Sequence, residues 1–219
     1  MKTPQTLMML SGGLDSYGAA AELHRRGDLA AALWVDYGQK AAPGELITAG
    51  EQAQRFGVRL YRTHLDIYQQ ISFSSGLING PLDDQAGIDQ LWVPARNALL
   101  YSIGAAFAEA LKLSAVGVGL NAEEAEQFAD NTATFLEAAN HFIFLATAGR
   151  VQAAAPTVNN GKREIIARLL ELGHPLELIY SCYRTPDTEG RMCGRCPSCR
   201  RLKAALAAND VALDTRFVE

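Results

Sequence analysis

Six residues near the amino end carry the densest chemical signal in the chain. Ser11-Gly12-Gly13-Leu14-Asp15-Ser16 joins two glycines, two hydroxyls and one carboxylate in a single short run. Two glycines let a backbone turn tightly and approach a ligand closely. The run follows the apolar stretch Leu7-Met8-Met9-Leu10 and precedes a helical pattern. It is therefore a strand-to-helix loop, where the helix start adds free N–H groups and partial positive charge. That combination suits a phosphate or pyrophosphate. Asp15 would repel a bare phosphate, so it makes sense as the holder of a cation bridging the phosphates, Mg²⁺. The plainer alternative is a tight turn with Asp15 or Ser16 capping the helix. The loop is not a Walker A motif: the Gly161-Lys162 pair is followed by Arg163 and lacks the Ser/Thr.

The second signal is cysteine crowding. Cys182, Cys193, Cys196 and Cys199 are the four cysteines of the chain, spaced C-x10-C-x2-C-x2-C. In a reducing compartment this pattern reads as metal binding before disulfides. Four thiolates suit one tetrahedral Zn²⁺ in a closed structural site, and the same ligands suit an iron–sulfur cluster. Arg191, Arg195, Arg200 and Arg201 would offset the negative charge. A third pattern is a decoy. Gly117-Val118-Gly119-Leu120-Asn121-Ala122 fits a dinucleotide fingerprint, but Glu123-Glu124-Ala125-Glu126 follows where a pyrophosphate needs bare N–H groups.

These residues need a scaffold, and the hydrophobic periodicity supplies one. Strands are predicted at Leu7–Leu10, Ala30–Val35, Val58–Leu65, Val116–Leu120 and Gln152–Pro156. Helices are predicted at Ser16–Arg26, Gly44–Phe56, Pro94–Leu113, Lys162–Leu172 and Pro197–Ala208. Strands alternating with helices imply βαβ crossovers: an α/β fold with a doubly wound parallel sheet. Ligands of such sheets sit at the carboxyl ends of the strands, where the polar clusters fall. Ser72–Leu91 is polar and Gly-containing, and reads as a surface loop or mobile lid. We expect an ATP-binding domain over 1–178 and a small metal-bound helical unit over 179–219.

Composition narrows the class. With 219 residues, 48% of them hydrophobic, the chain supports one packed core. Twenty basic against 24 acidic residues leave a net charge of −4, which argues against a protein that coats nucleic acid. No run of about 18 apolar residues offers a membrane span. The opening Met1-Lys2-Thr3-Pro4-Gln5 lacks a signal-peptide pattern, so a cytoplasmic location is expected, with no membrane partner and no stable nucleic-acid partner.

The string Ser11 to Ser16 resembles the PP-loop, S-G-G-x-D-S, of the ATP pyrophosphatase superfamily. Further blocks in order are similar to the 7-cyano-7-deazaguanine synthase family. They are Asp36-Tyr37-Gly38-Gln39-Lys40, Val93-Pro94-Ala95-Arg96-Asn97, Gly119-Leu120-Asn121-Ala122-Glu123, Lys162-Arg163-Glu164-Ile165, and Ser181-Cys182-Tyr183 with Cys193-Gly194-Arg195-Cys196-Pro197-Ser198-Cys199. The resemblance implies an adenine-nucleotide alpha-hydrolase-like fold, ATP with Mg²⁺, one structural Zn²⁺ on the four cysteines, and a homodimer. It implies that 7-carboxy-7-deazaguanine is adenylated and converted with ammonia, through the amide, to the nitrile, in queuosine and related deazapurine biosynthesis. Carried onto this chain, Leu10, Ser11, Gly12, Gly13, Leu14, Asp15 and Ser16 would hold ATP, with Asp36 and Gln39 near the nucleoside. Asp15, Arg96 and Lys162 would be catalytic, the two cations offsetting phosphate charge. Glu123 and Asp130 would meet the acceptor.

Three departures from the family pattern stand out. Tyr17-Gly18 replaces two threonines, Ala95 replaces a glycine, and Glu123 to Thr132 replaces the segment that lines the acceptor side, keeping the acid at Asp130. Three alternatives follow: a paralogous ligase acting on another carboxylate, a PP-loop tRNA-thiolation enzyme, and a nucleotide sensor without turnover.

Overall fold

A computed structural model describes residues 5–218. The chain runs β1 (Thr6–Met9), α1 (Leu14–Arg25), β2 (Leu29–Asp36), α2 (Ala42–Phe56), β3 (Arg59–His64), α3 (Ile67–Gln70), α4 (Ile88–Leu91), α5 (Arg96–Ala110), β4 (Ala115–Gly117), α6 (Ala122–Ala125), α7 (Ala133–Ala146), β5 (Gln152–Ala154), α8 (Lys162–Glu171) and α9 (Pro197–Ala207). The five strands form one parallel sheet in the order β3-β2-β1-β4-β5. The order reverses direction at β1, so the PP-loop leaves the sheet where neighbouring crossovers diverge and a crevice opens.

Side-chain alternation along the strands divides the core into two layers. Met8, Leu10, Ala32 and Trp34 join one buried cluster with residues of α1, α2, α8 and α9. Leu7, Leu33 and Val35 join another with Tyr101 and Ala105 of α5 and Ile143 of α7. The expected doubly wound sheet is thus observed, helices covering both faces. The departure at Gly18 has a packing cause: a Cβ there would fall 2.3 Å from the Ile165 Cγ2, so only glycine lets α1 lie this close to α8.

Several sequence expectations shift. The first helix starts at Leu14 rather than Ser16, which puts Asp15 in its first turn. The helix α7 has no counterpart in the helical pattern of the sequence. Thr132 caps it by accepting from the Phe135 N–H, and Phe142, Phe144 and Leu145 remain exposed on it. With apolar groups on both its buried and exposed sides, it shows no clean amphipathic stripe. The segment 72–91 is no bare loop. Leu77, Ala86 and Leu91 bury themselves with Tyr68, Val93 and Phe128 in a third small cluster, and Lys40 N–H donates to the Leu77 carbonyl at 2.9 Å. Nor is there a break in packing at 178: Cys182, Met192, Cys196, Leu202 and Phe217 sit in the same cluster as Met8 and Ala19.

Candidate active site

The PP-loop is built by its own hydroxyls and by three distant segments. Ser11 Oγ and Ser16 Oγ lie 3.0 Å apart, and Ser16 Oγ both accepts the Ser11 N–H (3.2 Å) and donates to the Gly13 carbonyl (3.1 Å). Gly12 has φ +83°, the left-handed region that favours glycine. A side chain there would also fall 2.7 Å from the Glu45 carbonyl of α2. The Gly12 carbonyl accepts from Tyr180 N–H (3.0 Å) and Gln52 Nε2 (2.9 Å). The Leu14 N–H donates to Ser181 Oγ at 3.2 Å. From the other side Gly119 presses against the start of α1, where a Cβ would meet Ser16 N at 2.5 Å. That close approach explains the glycine of the decoy fingerprint without a dinucleotide.

Beside the loop stands a buried charge network. Lys162 Nζ, at the start of α8, lies 2.8 Å from Asp15 Oδ2 and 3.0 Å from Glu124 Oε1. Arg201 of α9 approaches Glu124 at 3.8 Å and donates to the Tyr183 hydroxyl at 2.8 Å. Burial works against the Lys162 charge, but Asp15 and Glu124 outweigh it and hold the ammonium well above its usual value. Burial pushes the Asp15 carboxyl up, and Lys162 only partly opposes it. Glu124 is also opposed by burial, yet Lys162 and Arg201 hold it below the usual carboxylate range. The second Asp15 oxygen, Oδ1, is buried with no hydrogen-bond partner among the described residues. A carboxylate oxygen left so has the chemistry of a ligand for a hard cation.

Asp15, Arg96 and Glu124 border one cavity of about 250 Å³, together with Tyr37, Glu45 and Tyr101. The Arg96 guanidinium stands over the Tyr37 ring, 6.0 Å from its centroid. Burial opposes its charge, while Tyr37 and Asp130 keep it protonated well above its ordinary range. Its aim depends on Ala95, which holds φ 52° at the start of α5. This is the position where the family pattern has glycine, and here alanine takes the left-handed conformation instead. Glu45 faces the same cavity. Burial pushes its carboxyl up to about 7, against the 2.8 Å hydrogen bond from Gln39 Nε2.

Of the residues expected at the nucleoside and the acceptor, Asp36, Glu123 and Asp130 lie outside this lining, and Gln39 borders it with its side chain already engaged. Glu123 points away from the cavity and accepts the Lys162 N–H at 2.7 Å, holding the start of α8. Asp130 accepts from its neighbour Asn131 Nδ2 at 3.1 Å and does not border the cavity, though Asn131 does. The Asp36 carboxylate closes its own turn by accepting the Gly38 N–H at 2.9 Å. Gln39 does border the cavity, but both ends are engaged: Oε1 with the Tyr37 N–H, Nε2 with the Val35 carbonyl and Glu45. Leu10, Ser11, Gly13, Leu14, Asp15 and Ser16 all border it.

The sequence alone assigns no site role to Glu124, Ser181 or Glu45, and gives Arg201 only the role of offsetting charge at the cysteines. Glu124 is one residue from the glutamate it chose, and only the phase of α6 tells them apart. Ser181 is legible inside Ser181-Cys182-Tyr183, where the adjacent cysteine is the stronger chemical signal.

The four cysteine sulfurs all lie within 4.8 Å of one another, and Cys193 Sγ and Cys199 Sγ are 3.9 Å apart. A tetrahedron with metal–sulfur bonds of about 2.3 Å has an edge of about 3.8 Å. The spread therefore fits four ligands around a single ion. N–H groups of Arg184 (3.3 Å) and Cys193 (3.4 Å) donate to Cys182 Sγ, which steadies negative charge on sulfur.

A family model described as "Queuosine biosynthesis protein QueC" matches residues 5–210. The 7-cyano-7-deazaguanine synthase of Desulforudis audaxviator is 36% identical over 211 residues, spanning 91% of this chain and 94% of that one. That of Methanothermobacter thermautotrophicus is 33% identical over 225 residues, 98% and 100% of the two chains. Among solved structures, a 4-thiouridine synthetase–RNA complex with bound ATP superposes with a TM-score of 0.50 at 16% identity, over 94% of this chain and 52% of that one. An NMN synthetase from Francisella tularensis gives 0.49 at 13% identity, over 99% and 81%. At 16% identity the likeness to the synthetase–RNA complex concerns the fold alone. No helix among the described residues is long and apolar enough to cross a membrane.

Proposed function

This chain belongs to the 7-cyano-7-deazaguanine synthase family, an ATP-dependent enzyme family of queuosine biosynthesis, and from that premise we propose how its residues carry the reaction. The carboxylate of 7-carboxy-7-deazaguanine attacks the α-phosphorus of ATP, giving an acyl-adenylate and pyrophosphate. Ammonia displaces AMP from the acyl carbon and leaves the amide. A second ATP adenylates the amide oxygen, releasing a second pyrophosphate, and loss of AMP and the two N–H protons leaves the nitrile.

The observation that carries this reading is the meeting of Asp15 and Lys162 beside the PP-loop, where Asp15 borders a cavity that Arg96 also borders and Lys162 stands behind that carboxylate. The loop N–H groups receive the departing pyrophosphate. Lys162 and Arg96 offset the charge that develops as the α–β bond breaks, the part a P-loop lysine plays elsewhere. Asp15, through its free Oδ1, would hold Mg²⁺, which neutralises and aligns the phosphates when bound. No general base is required, because an acyl-adenylate is reactive once an amine is positioned against it. The four cysteines would hold one Zn²⁺; their close spread supports a single ion over a multi-iron cluster. Exposed Phe142, Phe144 and Leu145 on α7 support a homodimer.

Incubation with ATP, Mg²⁺, ammonia and 7-carboxy-7-deazaguanine, with product masses read out, tests this function. The nitrile, AMP and pyrophosphate are expected. Turnover only with a different carboxylate would favour the paralogous ligase that the segment 123–132 suggests.

A further inference from the structure

We propose that Ser181 is a phosphate-binding residue that ties the four-cysteine centre to the PP-loop, its hydroxyl accepting the Leu14 N–H while donating its own proton to a phosphate oxygen. This rests on the reading that the loop holds the phosphates of ATP. The geometry is a short strap. Tyr180 N–H donates to the Gly12 carbonyl at 3.0 Å, and the Tyr180 ring is clamped against α2, where a Cβ on Gly44 would fall 2.5 Å from it. Next in the chain, Ser181 Oγ accepts the Leu14 N–H at 3.2 Å and sits 3.8 Å from where a Gly13 side chain would begin. Ser181 N–H donates to Met192 Sδ at 3.3 Å, and Ser181 borders the cavity. The following residue is Cys182, whose sulfur belongs to the metal-ligating set.

Physical chemistry supplies the rest. A hydroxyl accepts and donates at once, so engagement with Leu14 leaves its proton to give. An O–H donor to a charged phosphate forms one of the stronger hydrogen bonds. A four-thiolate site fixes each ligand's backbone when an ion is bound, and a preformed site of this kind does not survive loss of the ion unchanged. With Cys182 fixed, Ser181 has no freedom to swing off Leu14. Occupancy of the centre thereby presets the loop for phosphate, at a distance of one residue and through a single side chain.

The test measures binding of α,β-methylene-ATP with Mg²⁺, and of AMP, by calorimetry, with metal content read by elemental analysis. Ser181→Ala is expected to bind the analogue roughly tenfold more weakly, the cost of about one charged hydrogen bond. It should retain full metal content, the wild-type melting curve and wild-type AMP affinity. Ser181→Thr, which keeps the hydroxyl, should recover most of the loss. Chelating the wild type, with fold followed by circular dichroism, should weaken the analogue similarly, whereas chelating Ser181→Ala should add little. Wild-type analogue affinity in metal-loaded Ser181→Ala would overturn the proposal, as would an equal loss for AMP or an undiminished chelation effect in that variant. If chelation unfolds the chain, the metal-loaded variants decide. A wild type that does not bind the analogue at all would instead strike the PP-loop reading itself.

Discussion

Lys162 Nζ lies 2.8 Å from Asp15 Oδ2, a pair drawn from opposite ends of the fold domain and joined again to Glu124 at 3.0 Å. One nearly buried ammonium therefore serves two carboxylates, with Arg201 behind them. The arrangement is poised for exchange. A cation held on Asp15 Oδ1 would share that carboxylate's charge with Lys162 and leave the ammonium more of its attraction for phosphate oxygens. We expect Lys162→Met to lower the rate of AMP formation by about 10²–10³, the scale on which transition-state charge stabilisation is lost. Stability should fall too, since a lone buried carboxylate is costly. Pyrophosphate release measured within threefold of wild type would refute this role.

Adjacent glutamates separate structure from chemistry. Glu123 accepts the Lys162 backbone N–H, whereas Glu124 meets the Lys162 ammonium. Glu123→Gln should cost about 1 kcal/mol in stability, the scale of a helix-start interaction, and leave turnover within a few-fold. Glu124→Gln should lower the melting temperature, because it leaves buried Lys162 and Arg201 one carboxylate short, and depress AMP formation at least tenfold. Steady-state kinetics showing the opposite ranking would count against the assignment.

Glu45 makes stability depend on pH. Its carboxyl is pushed up to about 7 by burial, so the folded state holds a proton that the unfolded chain releases near the ordinary glutamate value. A raised carboxyl contributes most at low pH, and that contribution is lost as pH rises through about 7. Replacing it by glutamine, which can still accept from Gln39, should raise stability at pH 8.5 relative to wild type by about 2 kcal/mol more than at pH 5. Urea midpoints at the two pH values check this; a gain larger at pH 5 would contradict it.

Ala95 holds φ 52° immediately before Arg96. The left-handed region costs a non-glycine residue about 1 kcal/mol, part of which glycine would give back through its freer unfolded chain. Ala95→Gly should thus stabilise by roughly 0.5 kcal/mol, or about 1–2 °C in a chain of this size, with unchanged KM for ATP. Calorimetry showing a lower melting temperature would mean the strain is absent.

Much of this was legible without coordinates, and the remainder fails for physical reasons. The loop from Ser11 to Ser16 is readable because glycine conformation and helix starts are local properties. The parallel sheet is readable because strands bury both faces and stand out as apolar runs. The helix at Ala133–Ala146 is not, because exposed Phe142, Phe144 and Leu145 blur its period. Glu124 rather than Glu123 cannot be chosen without the phase of a one-turn helix. The contacts of Tyr180 and Ser181 with the loop join residues 168 and 167 positions apart, and no local pattern announces them.

The central claim is that the substrate carboxylate is joined to AMP while the PP-loop takes the pyrophosphate. The most direct measurement uses 7-carboxy-7-deazaguanine labelled with ¹⁸O in its carboxylate, with ATP, Mg²⁺ and ammonia, and follows the label by ³¹P NMR and mass spectrometry. The account predicts that AMP acquires one ¹⁸O atom and pyrophosphate none. Label in inorganic phosphate with ADP as co-product, or AMP without label, would contradict it.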